Sequence, residues 1–230
     1  TNIQYSKTDT PVKTVVVTSS GPGEGKSTST ANLAITFAQM GAKTLLIDTD
    51  LRRPVQHGIF GVDRGTGLTN VLVGKVSFEE AVISTKIEGL YLITAGTLPP
   101  NPSELLGSRK MEDFIKKVSK LYDMVLFDTP PVIAVTDSAV LGSKADGMIL
   151  VVKSNETNRD AMLRARTLLD NVHANIIGVM LNGVNVENMY GSYYYYYYYY
   201  YYADGKDGKN GKHRRKKGMK STLHENAKSG

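Results

Sequence analysis

The stretch Ser20-Gly-Pro-Gly-Glu-Gly-Lys26-Ser27 constrains this 230-residue chain more than any other. It follows Thr14-Val-Val-Val-Thr18, an apolar, β-branched run with the character of a buried strand. After it, Ala31, Ala34, Ile35 and Ala38 recur at helical spacing between Thr28 and Met40, and Gly41 stops them. Strand, glycine loop and helix in that order make a cradle for phosphate: the loop's N–H groups can wrap an anion, and the helix start adds partial positive charge. Lys26 is placed to reach the β- and γ-phosphates, and Ser27 to put its hydroxyl on Mg2+. One letter departs from the strict GxxxxGK[ST] pattern, since Ser20 stands where the first glycine is expected.

The rest of the body repeats the alternation. Further strands are expected at 43–47, 90–94, 124–127, 148–152 and 175–181, all continuously apolar. Ser77 caps a short helix from Phe78 to Ile83, and Asn101-Pro-Ser-Glu104 opens a longer one with an apolar stripe of Met111, Phe114, Ile115, Val118, Leu121 and Tyr122. A short helix is expected near Asp137 to Ser143, and another capped at Thr157 with Asp160. Residues 54–77, with Gly58, Gly61, Gly65 and Gly67, read mostly as loop. Buried strands alternating with helices predict an α/β, P-loop NTPase-like doubly wound domain, its mainly parallel sheet covered on both faces and its ligands at the strands' carboxyl ends. The expected boundaries are a connector at 1–12, this domain at 13–189, a tyrosine cluster at 190–202 and a basic tail at 203–230. A chain opening on Thr1 reads as a fragment.

Composition matters chiefly through its distribution. The net charge is +6, and all of it lies in residues 203–230, which hold nine Lys/Arg against three Asp/Glu. The body is neutral, with no net basicity to suggest nucleic-acid binding. Cysteine is absent, which excludes disulfides, thiol catalysis and thiolate metal sites, and fits a cytoplasmic protein. Tyr193 to Tyr202 are ten consecutive tyrosines, preceded by Tyr190-Gly-Ser. With the Gly- and Lys-rich stretch that follows, they predict a disordered segment.

Three acids fall at predicted strand ends. Asp128 follows four apolar residues, the arrangement of a Walker-B aspartate that holds Mg2+. Asp48 and Asp50 follow the second strand two residues apart, so both side chains can face one phosphate site. Arg52 and Arg53 are candidates for contact with phosphate or a neighbouring subunit. The four histidines, His57, His173, His213 and His224, have no ligand spacing, and no G-x-S-x-G elbow appears.

Taken together, TSSGPGEGKST, LLIDTDLRRP, LFDTPP and GTLPPNPSELL with the terminal tyrosines resemble the bacterial tyrosine kinases, and within them the cytoplasmic kinase of Gram-positive capsular and exopolysaccharide assembly. The resemblance covers roughly residues 1–202. It implies an enzyme using ATP and Mg2+, with Gly21, Gly23, Glu24, Gly25, Lys26, Ser27 and Thr28 around the phosphates. It implies that Lys26, Asp48 and Asp50 are catalytic, with Asp50 facing the attacking tyrosine. Ser27, Asp48 and Asp128 would serve the metal, Asp128 through water, and Asn182 would contact adenine. The phosphate acceptors would be Tyr190, Tyr193, Tyr194, Tyr195, Tyr196, Tyr197, Tyr198, Tyr199, Tyr200, Tyr201 and Tyr202, used mainly between subunits.

The implied partners are a membrane-embedded activator with a cytoplasmic tail, further copies forming a ring, and a phosphotyrosine phosphatase, which together place the kinase at the inner face of the membrane. The family's ring-building E-x-x-R-x-x-R helix normally precedes the kinase domain, and this chain starts where that helix should end. The basic extension is longer than the family usually carries.

A phenol titrates near 10 and a carboxylate near 4, so full deprotonation by Asp50 before transfer is costly. Phosphoryl transfer has a loose transition state needing little nucleophilic push, which casts Asp50 as orienting the hydroxyl and taking its proton late. Each phosphotyrosine adds about −1.5 to −2 charges, so three or four would cancel the tail's excess. The main rival is a ParA/MinD-like ATPase switch. Such proteins carry a second lysine just after the loop's first residue, where this chain has Gly21.

Overall fold

A computed structural model describes residues 11–184. The first ten residues, Tyr190, the run Tyr193 to Tyr202 and the basic tail lie outside the described residues.

Seven strands form one sheet: β1 (Thr14–Ser19), β2 (Thr44–Asp48), β3 (Ile83–Ser84), β4 (Leu90–Ile93), β5 (Met124–Asp128), β6 (Gly147–Lys153) and β7 (Ile176–Asn182), in the order β3-β4-β2-β5-β1-β6-β7. All neighbours run parallel except β3, which pairs antiparallel with β4. The apolar runs are continuous because the sheet is covered on both faces: every residue of β1, β2 and β5 is buried. One face carries α1 (Lys26–Gln39), whose small Ala31, Ala34 and Ala38 bring the helix close around Phe37. The other carries α6 (Arg109–Leu121), α7 (Asp137–Gly142) and α8 (Arg159–Asp170), through the Met111, Phe114, Ile115 and Val118 stripe, Leu141, and Ala165 with Leu169.

The short elements depart from expectation. Residues 54–77 hold two helices of little more than one turn, α2 (Gln56–Phe60) and α3 (Leu68–Leu72), too short to show a helical period. The helix at Phe78 (α4, Phe78–Ala81) keeps its Ser77 cap and Glu80 capping box, but ends earlier, and Ile83 enters β3 instead. The helix after Asn101 is two helices, α5 (Pro102–Gly107) and α6, because Ser108 turns extended and its hydroxyl caps the second. Asn158, not Thr157, caps α8. Thr157 donates to Glu24 in the glycine loop instead.

Candidate phosphoryl-transfer site

At the carboxyl edge β1 lies between β5 and β6, where the strand order reverses and open α/β sheets bind ligands. The glycine loop leaves β1 there, and α1 begins at Lys26, so Lys26 and Ser27 belong to its first turn. Gly25 caps the helix at φ +87° with no side-chain cap, which leaves the first-turn N–H groups free for an anion.

The loop is braced from inside. The Glu24 carboxylate is buried, accepting from Ser20 N and Oγ at 2.8 Å, Gly21 N at 3.1 Å and Thr157 Oγ1 at 2.6 Å. The Ser20 hydroxyl that breaks the strict motif is therefore a donor to Glu24. Thr28 is exposed at the helix start, and Asn182 at the end of β7 donates from Nδ2 to Glu24 O at 3.1 Å. A Cβ at Gly25 would fall 2.0 Å from Asn182 Nδ2. Gly25→Ala is thus expected to lower nucleotide affinity at least about tenfold, since the left-handed backbone alone costs a side chain roughly 1–2 kcal/mol. Titration with a fluorescent ADP analogue checks this, and unchanged affinity would contradict the close approach.

The three strand-end acids converge. Asp48 and Asp128 are register partners on neighbouring strands, so their side chains share one face, and both are fully buried. Lys26 Nζ lies 3.1 Å from Asp50 Oδ2, 3.4 Å from Asp128 Oδ1 and 3.0 Å from Ser27 Oγ. Asp48 holds the loop beyond β2: Oδ2 accepts from the N–H groups of Val55 and Gln56 at 3.0 and 2.9 Å, and Oδ1 from Asp50 N at 3.3 Å. Burial first, then repulsion by Asp128, pushes the Asp48 carboxyl up to about 7. Burial also raises Asp128, against the pull of Lys26 and of hydrogen bonds from Gln56 and Ser27. Asp50 is nearly buried, its Oδ1 accepting from Arg53 N at 2.9 Å and Arg52 N at 3.3 Å.

Arg52 turns inward. Its guanidinium grips buried Asp137 at the start of α7, Nε to Oδ2 at 2.9 Å and an Nη to Oδ1 at 3.1 Å, while Ser103 also donates to Asp137. The loop carrying Asp50 is thereby tied to α5 and α7 by a two-pronged ion pair. Two residues here carry no sequence signal: Asp137, which reads as an ordinary helix start, and Gln56, which sits in a stretch without periodicity. Gln56 is fully buried and donates from Nε2 to Asp128 Oδ2 and Ser27 O.

Comparison with known proteins agrees with this geometry. The family model described as "AAA domain" matches residues 12–177. The tyrosine-protein kinase YwqD of Bacillus subtilis is 45% identical over 183 residues, which is 80% of this chain and 77% of that one. Among solved structures, the chimerical protein CapA2B2 superposes with a TM-score of 0.77 at 39% identity over 80% of each chain. MinD of Pyrococcus horikoshii, complexed with Mg-ADP, gives 0.63 at 26% identity over 74% of this chain and 69% of that one. The nucleotide-binding fold is thus common ground with the MinD-type proteins, whereas the high-identity kinship runs to tyrosine-protein kinases: the chain belongs to the bacterial tyrosine kinases and is itself a protein-tyrosine kinase.

Proposed function

We propose that the chain transfers the γ-phosphoryl group of ATP, bound with Mg2+, to Tyr190 and the run Tyr193 to Tyr202, mainly between subunits, and thereby regulates capsule or exopolysaccharide synthesis and export. The observation that carries this is the position of Lys26 Nζ, between the acid facing the acceptor, Asp50, and the acid of the metal side, Asp128.

The residues fit a magnesium nucleotide. The donor set of Ser27 hydroxyl with the Asp48 and Asp128 carboxylates is all hard oxygen, as Mg2+ requires. Among the described residues no three His, Cys, Asp or Glu are grouped to hold a metal by themselves. That suits an ion held by one or two carboxylates, water and the substrate's phosphates. Held there by Ser27, Asp48 and Asp128, Mg2+ would offset the negative charge that develops on the phosphate oxygens during transfer.

The protein's own residues supply the remainder. The free N–H groups at the start of α1 bind the phosphate oxygens, and Lys26 stabilises the transferring group electrostatically. Asp50 Oδ2 orients the tyrosine hydroxyl. The phenolic oxygen bonds to the γ-phosphorus as the bond to the β–γ bridging oxygen breaks, ADP departs, and the phenolic proton passes to Asp50. Past the carboxyl end of β4, a groove of about 680 Å3 lined by His57, Val62, Asp63, Arg64, Thr97 and Leu98 among others offers space for a peptide acceptor.

Among the described residues no helix is long and apolar enough to cross a membrane. The family resemblance supplies the rest of the reading: a membrane-embedded activator docking its cytoplasmic end on the kinase, ring assembly, and a cognate phosphotyrosine phosphatase. Incubation with γ-labelled ATP and Mg2+, followed by peptide mapping, tests the proposal. Label on tyrosines within 190–202 is expected. ATP hydrolysis without tyrosine labelling would favour a MinD-like switch and overturn it.

A further inference from the structure

Gln56 touches all three residues assigned to the cation. Its backbone N–H donates to Asp48 Oδ2 at 2.9 Å, and its side-chain Nε2 donates to Asp128 Oδ2 at 2.7 Å and to Ser27 O at 3.0 Å. The orientation of the amide is set by the Ser27 backbone carbonyl, which can only accept, so the amino group faces it and Asp128 beside it. Asp128 is then held from both sides, by Gln56 on Oδ2 and Lys26 on Oδ1. The cost of that orientation falls on Gln56 Oε1, which is buried without a hydrogen-bond partner. A buried acceptor left unpaired is expensive, and in native proteins it calls for an explanation.

The chemistry of the site narrows the explanation. Phosphate oxygens are acceptors and cannot satisfy Oε1. The donor a magnesium nucleotide brings here is water carried on the cation, since Mg2+ keeps several of its waters. We infer that Gln56 is a positioning residue for the cation: its amino group fixes Asp128 and the Ser27 carbonyl, and its Oε1 accepts a hydrogen bond from a cation-bound water. The inference rests on the reading of the site as one for a magnesium nucleotide. It assigns Gln56 no contact with the reacting atoms.

The test separates the cation from the nucleotide. Gln56→Met keeps length and bulk but removes both the donor and the acceptor. Affinity for a fluorescent ADP analogue is measured on the full chain with Mg2+ and again with EDTA, alongside the Mg2+ concentration that gives half the gain. For Gln56→Met the Mg2+-supported affinity is expected to fall roughly 10-fold or more, as for other groups that orient metal ligands, with the EDTA value within about twofold of the parent's. Gln56→Asn keeps an amide too short to span both partners. It should show the same loss, and it serves as the variant of record if Met does not fold. Parental affinity with Mg2+ in the variants would overturn the inference. So would equal losses with and without Mg2+, which would make Gln56 a brace of the loop alone. If the parent gains nothing from Mg2+, the functional reading itself fails, and this inference falls with it.

Discussion

Replacing Lys26 with Met is expected to reduce phosphotyrosine formation by at least about 10²–10³-fold, the scale on which removal of one charge-stabilising donor acts in a preorganised site. Methionine matches the lysine stem but has no cation for the phosphoryl group in transit. A second effect should accompany the first. Lys26 is largely buried and is the cation placed between Asp50 and Asp128. Taking one partner from a buried pair costs about 3–5 kcal/mol when the other charge stays unpaired. The variant without nucleotide should therefore unfold at lower urea than the parent at pH 8. The gap should narrow toward pH 5, as the Asp48 carboxyl, raised to about 7, takes up its proton and relieves the repulsion on Asp128. Labelling and urea titrations at both pH values check the two effects. A variant that still labels its tyrosines within tenfold of the parent would remove Lys26 from its role.

Asp48→Asn should trade activity for stability. The folded protein holds the Asp48 proton up to about 7, far above the ordinary 3.8, so between those values it binds more protons than the unfolded chain. Stability is then fully present at low pH and is lost as pH rises toward 7. Asparagine is neutral throughout and keeps an oxygen for the Val55 and Gln56 N–H groups. Without nucleotide and with EDTA, the variant should match the parent near pH 4 and exceed it by roughly 4 kcal/mol at pH 8, at 1.36 kcal/mol per unit. Kinase activity should nevertheless fall by about 10²-fold or more if Asp48 serves the transferring group as proposed. A parent as stable as the variant at pH 8 would show that Asp48 is not the strained acid.

Legibility in the sequence followed length and burial. β1, β2 and β5 were plain because a covered parallel strand must be apolar throughout, and α6 because thirteen residues show a period. A two-residue strand such as β3 and single-turn helices such as α2 show none. In the site, the meeting of Lys26, Asp48 and Asp128 was legible because strand ends and a glycine loop fix their places. Gln56 was not, because its role comes from a buried amide that meets Asp128 and Ser27, positions far from it in the chain. Arg52 read as an outward hand for phosphate or a neighbour, yet the structure turns it on Asp137, a partner 85 residues away.

The contact between Lys26 and Asp50 Oδ2 bears on kinetics. In the proposed reaction, the oxygen that carries the ammonium is the one a phenol would need, because Oδ1 already serves the Arg52 and Arg53 N–H groups. Phosphate draws the ammonium away, whereas a tyrosine cannot. Under the proposed roles, substrate addition is expected to be compulsory in order, nucleotide first and acceptor second. ADP should then inhibit competitively against ATP, and non-competitively against a tyrosine peptide supplied in its place at the acceptor.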